Sequence, residues 1–217
     1  MNLPVIYEDN HLLVINKPAG LLVQGDQTGD VPLVELGKQY LKEKYQKPGA
    51  VFLGVVHRLD RPVSGIVLMA RTSKALGRMN QLFSNHEIEK VYLALVGQRP
   101  QLEEGELVQW LKKDHKKNKT KAFKKEIPGS KKAILSYKLL KGDSKPYWLE
   151  IYPKTGRPHQ IRVQLASLGC PIVGDLKYGY PTPNKDKSIC LHASKLTFVH
   201  PVKKETIVLQ ASSPFTQ

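Results

Sequence analysis

Apolar residues fall in short runs along most of this chain, and their spacing predicts mainly strands. Val5-Ile6-Tyr7 and Leu12-Leu13-Val14-Ile15-Asn16 read as two strands joined by Glu8-Asp9-Asn10-His11, and Lys17-Pro18-Ala19-Gly20 turns the chain out of the second. From 31 to 45 the positions Leu33, Val34, Leu36, Tyr40 and Leu41 recur with a helical period that Pro48-Gly49 closes. Residues 51–56 read as a buried strand entering a loop around Asp60, and residues 66–70 as the strand leaving it. Ser73 is placed to cap a helix through Leu76, Met79, Leu82 and Phe83. Residues 90–97 then alternate as a strand, with Tyr92 on the face opposite Val91 and Leu93.

The order breaks at about 98–130, where apolar residues are few and lysines crowd between Lys112 and Lys121; this stretch predicts an excursion with a short hairpin. Strands return at 133–140 and 147–152. A helix follows over 159–168, closed by Gly169 and Pro171, and strands end the chain at 189–199 and 206–210. Many strands with few helices predict an α+β domain built on a mixed, mostly antiparallel sheet flanked by a few helices and loops. With 217 residues, 41% of them hydrophobic, the chain suits one domain over 1–217 and is too short for two full ones.

The formal charge of +15 points to a polyanionic partner, nucleic acid first. No run of about 18 apolar residues offers a membrane span, and the first residues lack a basic region followed by an apolar stretch, so no secretory leader is expected. Cys170 and Cys190 alone make neither a disulfide framework nor a metal-binding spacing, which fits a reducing cytoplasm.

The chemistry concentrates in His57-Arg58-Leu59-Asp60-Arg61-Pro62-Val63-Ser64-Gly65. Here one carboxylate stands between two arginines, whose positive charge favours its ionised form and which can themselves hold phosphates. About a hundred residues later come Gly156-Arg157-Pro158-His159-Gln160-Ile161-Arg162 and then Gly169-Cys170-Pro171-Ile172-Val173-Gly174-Asp175-Leu176-Lys177-Tyr178-Gly179. Together with Asn16-Lys17-Pro18-Ala19-Gly20, these segments resemble the RluA family of pseudouridine synthases, with its H-R-L-D-R-x-T-S-G, G-R-x-H-Q-I-R, G-x-P-I-x-G-D-x-x-Y-G and N-K-P-x-G signatures. Val63 replaces the family's usual Thr, and Gln164 a common His. The resemblance runs over nearly the whole chain and leaves no room for the S4-type RNA-binding domain of some relatives.

It implies a stand-alone synthase domain with a cleft across its sheet, acting on a specific uridine of large-subunit ribosomal RNA or tRNA. Such a protein needs no cofactor and no metal, works in the cytoplasm as a monomer without an obligate protein partner, and does not engage membranes. Asp60 is implied as the catalytic carboxylate, nucleophile or base. Arg162 is implied to pair with it and Tyr92 to stack on the target uracil. Because a stacked nucleotide hides its glycosidic carbon, the target must be flipped out, with Arg58 filling the space left behind. Arg61 is a phosphate contact; Arg157, His159, Gln160 and Ile161 are RNA contacts or motif scaffold; Leu191 lines the uracil pocket; Lys90, like Lys17 and Lys177, meets backbone charge. His57 supports the loop by hydrogen bonding. Two other readings compete. A non-catalytic RNA-binding or ribosome-assembly protein would carry the same charge, but the joint presence of Asp60, Tyr92 and Arg162 argues against it. A metal-dependent nuclease using Asp60, Asp175, His57 and His159 has too few carboxylates, and Asp175 reads better as a turn or cap acceptor.

Overall fold

The computed structural model describes residues 3–141 and 144–215, with the side chain of Lys141 not described; Met1 and Asn2, which open the segment read for a leader, lie outside them. These residues form two compact units, one of 3–89 with 193–215 and the other of 90–192.

In the first unit, strands β1 (Val5–Glu8) and β2 (Leu12–Lys17) form a hairpin, and β2 pairs antiparallel with β4 (Ser64–Ala70) from Leu12↔Ala70 to Lys17↔Gly65. The two-residue β3 (Gly54–Val55) also pairs with β4. Beyond β4 in strand order comes β10 (Leu191–Val199), which carries β11 (Thr206–Gln210) along its later half. The expected strand over 51–56 shrinks to β3; Gly54 there packs so closely on Leu76 that an added Cβ would meet it at 2.7 Å.

Both faces of β2 and β4 are covered, which is why these strands read as unbroken apolar runs. On one face Leu12, Val14, Ile66 and Leu68 pack with Met79 of helix α2 (Ser73–Ser84), Leu196 and Phe198. On the other, Gly37 of helix α1 (Leu33–Lys44) sits against Leu53, Leu13 and Met69. The cap of α2 is Thr72 and not Ser73: its backbone is extended and its hydroxyl accepts the Ala75 N–H at 3.1 Å.

The second unit is an antiparallel sheet in the order β5 (Glu89–Val96), β9 (Tyr147–Pro153), β8 (Lys131–Lys141), β6 (Glu104–Asp114), β7 (Lys119–Phe123). Helix α3 (Gln160–Ser167) covers one face, packing Val163 and Ala166 on Leu111, Ala122 and Ala133. The stretch expected as an excursion is therefore part of the sheet, since β6 is hydrogen-bonded on both sides. Its composition hides this: inward Leu107 and Leu111 alternate with outward Glu104, Glu106, Val108, Trp110 and Lys112, so charged residues at both ends of the outer face mask the strand's alternation.

Candidate active site

Asp60 lies half-buried in the loop between β3 and β4, where its carbonyl accepts the Val63 N–H at 3.0 Å in a tight turn. Three contacts hold that turn. The Gly20 N–H donates to the Arg61 carbonyl at 2.8 Å, Arg61 Nε returns a bond to the Gly20 carbonyl at 3.0 Å, and Arg61 Nη2 pairs with Asp30 at 2.6 Å. Arg61, expected at a phosphate, thus spends its guanidinium on fastening the loop to the 20–30 segment. Arg58 is exposed. His57 accepts the Leu68 N–H on Nε2 at 3.0 Å and stacks on Phe83 with centroids 5.0 Å apart, bracing the loop against β4 and α2.

Lys17 departs most from expectation. Its side chain is wholly buried, and Nζ donates to the carbonyls of Pro18 (3.0 Å), Leu21 (2.9 Å) and Arg61 (3.3 Å). It cannot meet RNA; it is a cation sealed beneath the Asp60 loop. Burial lowers its pKa to about 8, with the Asp60 charge opposing that shift and the Arg61 charge adding to it. A lysine two positions after the apolar run Leu12-Leu13-Val14-Ile15, within the same strand, was the available signal for this placement.

In the second unit, Lys90 and Tyr92 share one face of β5 and are both half-buried. Burial holds the Lys90 ammonium below the usual lysine range. Arg162, in α3, is 5% exposed and gives Nε and Nη2 to the two carboxylate oxygens of Asp175 at 2.7 and 2.8 Å. Asp175 is thus a buried bidentate counter-ion, more than the turn acceptor the sequence indicated. The Arg162 guanidinium also lies 5.0 Å from the centroid of the Tyr178 ring. Burial raises the pKa of the Tyr178 hydroxyl, which accepts the Thr120 N–H at 2.9 Å and lies 2.7 Å from His159 Nδ1.

The remaining motif residues separate by burial. Gln160, 4% exposed, accepts from Thr155 Oγ1 and the Arg157 N–H and donates to the Ile134 carbonyl, so it is scaffold and not an RNA contact. Ile161, 7% exposed, belongs with it. Arg157 gives Nε to the Lys132 carbonyl at 3.0 Å, and Lys177 gives Nζ to the Asn118 carbonyl at 3.1 Å. His159 is half-buried with a left-handed backbone at the start of α3, and Leu191 is buried at the start of β10. Val63, in the position of the family's threonine, is 2% exposed, where a methyl suits better than a hydroxyl, and Gln164 is buried with Nε2 on the Leu107 carbonyl.

A family model described as RNA pseudouridylate synthase matches residues 11–167. The chain is 33% identical to the tRNA pseudouridine synthase C of Vibrio cholerae over 227 residues, covering 96% of this chain and 90% of that protein. It is 36% identical to the ribosomal large subunit pseudouridine synthase C of Rickettsia felis over 217 residues, covering 97% of this chain and 68% of that one. Among solved structures, human RNA pseudouridylate synthase domain containing 4 superposes with a TM-score of 0.79 at 24% identity, over 97% of this chain and 88% of that one, which shows a shared fold.

Proposed function

The chain belongs to the RNA pseudouridylate synthase family, and from that premise we propose that it isomerises a specific uridine of ribosomal RNA or tRNA with Asp60 as the catalytic carboxylate. One observation carries this assignment: Asp60 is a half-buried carboxylate on a turn whose next carbonyl is held by the buried ammonium of Lys17. A reacting group must be positioned before substrate arrives, and a loop tied down by a sealed cation meets that need.

In the reaction the bond from the ribose C1′ to the uracil N1 breaks, the freed base turns, C1′ joins a ring carbon, that carbon gives up its proton and N1 takes one up. Atoms and electrons are conserved overall. Asp60 acts at the sugar or the base, and Tyr92 stacks on the uracil to keep it in place while it is detached. Arg162 provides the counter-charge for the catalytic carboxylate, and Leu191 lines the base pocket. Arg58 fills the gap left by the flipped nucleotide, while Lys90 and His159 meet the surrounding RNA. The whole chain works as one catalytic domain, monomeric and cytoplasmic.

The test is pseudouridine mapping, by carbodiimide-blocked reverse transcription, of unmodified ribosomal RNA and tRNA incubated with the wild type or with Asp60→Asn. A site made only by the wild type is expected. Tight binding with no new site would favour a non-catalytic RNA-binding protein.

A further inference from the structure

Residues 112–132 hold ten lysines against two acidic residues, a net +8 within 21 positions. Strands β6, β7 and the start of β8 arrange this charge on a sheet with two unlike faces. The inner face carries Leu111, Ala122 and Ala133 beneath α3. On the outer face the register sets Trp110 directly opposite Phe123 on one side and Lys132 on the other, and sets Lys112 opposite Lys121. Directly opposed residues of an antiparallel pair point to the same face. That face therefore reads Phe123, Trp110 and Lys132 across the three strands, with Val108 and Ile134 in the row on one side of it and Lys112 and Lys121 in the row on the other.

Trp110 and Phe123 are both half-buried, Val108 is 41% exposed, and Lys112, Lys121 and Lys132 are exposed. The Lys132 ammonium stands 5.8 Å from the centroid of the Trp110 ring. Cross-strand packing alone would account for an aromatic pair but gives no reason for lysines at its end and along one side, because like charges set opposite each other, as at Lys112 and Lys121, destabilise a sheet. A bound polyanion removes that cost, and an aromatic surface framed by cations takes the π-face of an unpaired base while the cations hold its phosphates.

We propose that the outer face of β6, β7 and β8 is a stacking platform on which Trp110 and Phe123 receive an unpaired base of the substrate RNA, with Lys112, Lys121 and Lys132 on the adjoining phosphates. This rests on the assignment of the protein as an RNA-modifying enzyme and adds a binding surface distinct from the residues given to the chemistry. An acidic protein segment would satisfy the lysines but would have no use for the aromatic pair.

The chain has two tryptophans, so Trp148→Phe leaves Trp110 as the sole tryptophan, read by excitation at the red edge where the nine tyrosines do not absorb. Titration of that protein with unmodified tRNA or ribosomal RNA fragments is expected to quench Trp110 saturably, and Trp110→Leu in the otherwise wild-type chain to weaken RNA binding about ten- to a hundredfold. The loss should fall on KM more than on kcat, with Phe123→Leu acting in the same direction and Lys132→Glu flattening the salt dependence. Ultraviolet crosslinking of wild-type protein to RNA, mapped by mass spectrometry, gives a second readout that needs no variant and should mark Trp110 or Phe123. Unchanged Trp110 emission at saturating RNA, equal quenching by polyglutamate, or an unchanged Kd for Trp110→Leu would each overturn the platform. Quenching by a protein that forms no pseudouridine would uphold the platform and sink the catalytic assignment; wild-type modification by a Trp110→Leu protein of unchanged Kd would do the reverse.

Discussion

Arg162 and Asp175 meet side-on through two hydrogen bonds of 2.7 and 2.8 Å, with the arginine side chain 6% and the aspartate 1% exposed. Removing one partner of such a buried pair is strongly destabilising. Asp175→Asn should lower unfolding stability by about 3–5 kcal/mol in urea titrations. An Arg162→Met/Asp175→Leu double variant should regain much of that loss. Pseudouridine formation should not return with it, because the arginine assigned to the reaction is gone. Recovery of activity in the double variant would count against that assignment.

Gly65, the second residue of β4, has φ at +115°, and a Cβ there would stand 2.4 Å from the Ala193 carbonyl oxygen and 2.5 Å from its nitrogen. Both obstacles are backbone and cannot swing aside. Gly65→Ala should cost about 3 kcal/mol or more. Gly20→Ala is the control: φ is +87° but nothing lies within 4 Å, so only the conformational cost of about 1–2 kcal/mol applies. Denaturant midpoints of the two variants decide the comparison.

Lys17→Met should destabilise the protein by at least about 2 kcal/mol, because the carbonyls of Pro18, Leu21 and Arg61 each lose a hydrogen bond from its ammonium. It should also slow pseudouridine formation by loosening the Asp60 turn. The pH dependence has a definite sign. Lys17 titrates at about 8 in the folded state against 10.5 ordinarily, so between those values the unfolded chain holds a proton that the folded one has lost. Wild-type stability relative to Lys17→Met should therefore rise from pH 8 to 10.5, and a flat difference would refute the buried-cation assignment.

Asp9 accepts the N–H groups of His11 and Leu12 at 2.8 Å and the Tyr7 hydroxyl at 3.0 Å, and stands 3.0 Å from His200 Nε2. Burial works to raise its pKa, but these donors and the His200 interaction outweigh it and hold the carboxyl at about 2 against 3.8 ordinarily. A depressed carboxylate contributes stability that is present above the unfolded value and lost as pH falls through the folded one. Asp9→Asn should thus cost about 2 kcal/mol at neutral pH and remove a matching part of the acid destabilisation between about pH 4 and 2. Equilibrium unfolding across that range gives the check.

Locally encoded features were legible. β2 and β4 read as buried strands because both their faces are apolar, α1 read from its period and stop and α3 from the Gly169 and Pro171 that close it, and the Asp60 and Arg162 motifs carried the family resemblance, which the family match over 11–167 bears out. β6 was only partly legible, because Glu104, Glu106 and Lys112-Lys113-Asp114 dilute its apolar positions, so composition gave an excursion with a short hairpin where the chain forms a sheet strand. The cap of α2 slipped by one residue, since Thr72 and Ser73 are equivalent candidates until the hydroxyl that accepts the Ala75 N–H is known.

What the sequence by itself determined is the set of local elements, the polyanion-seeking charge and the family, each of which depends on residue types within a short window. Tertiary structure alone decided which polar groups are sealed inside and with whom. Lys17, a surface residue by type, became the buried cation beneath Asp60, and Asp175 became the partner of an arginine 13 positions away. Burial and pairing of charge are settled by the low-dielectric surroundings that distant segments create around a side chain, and no short window contains them.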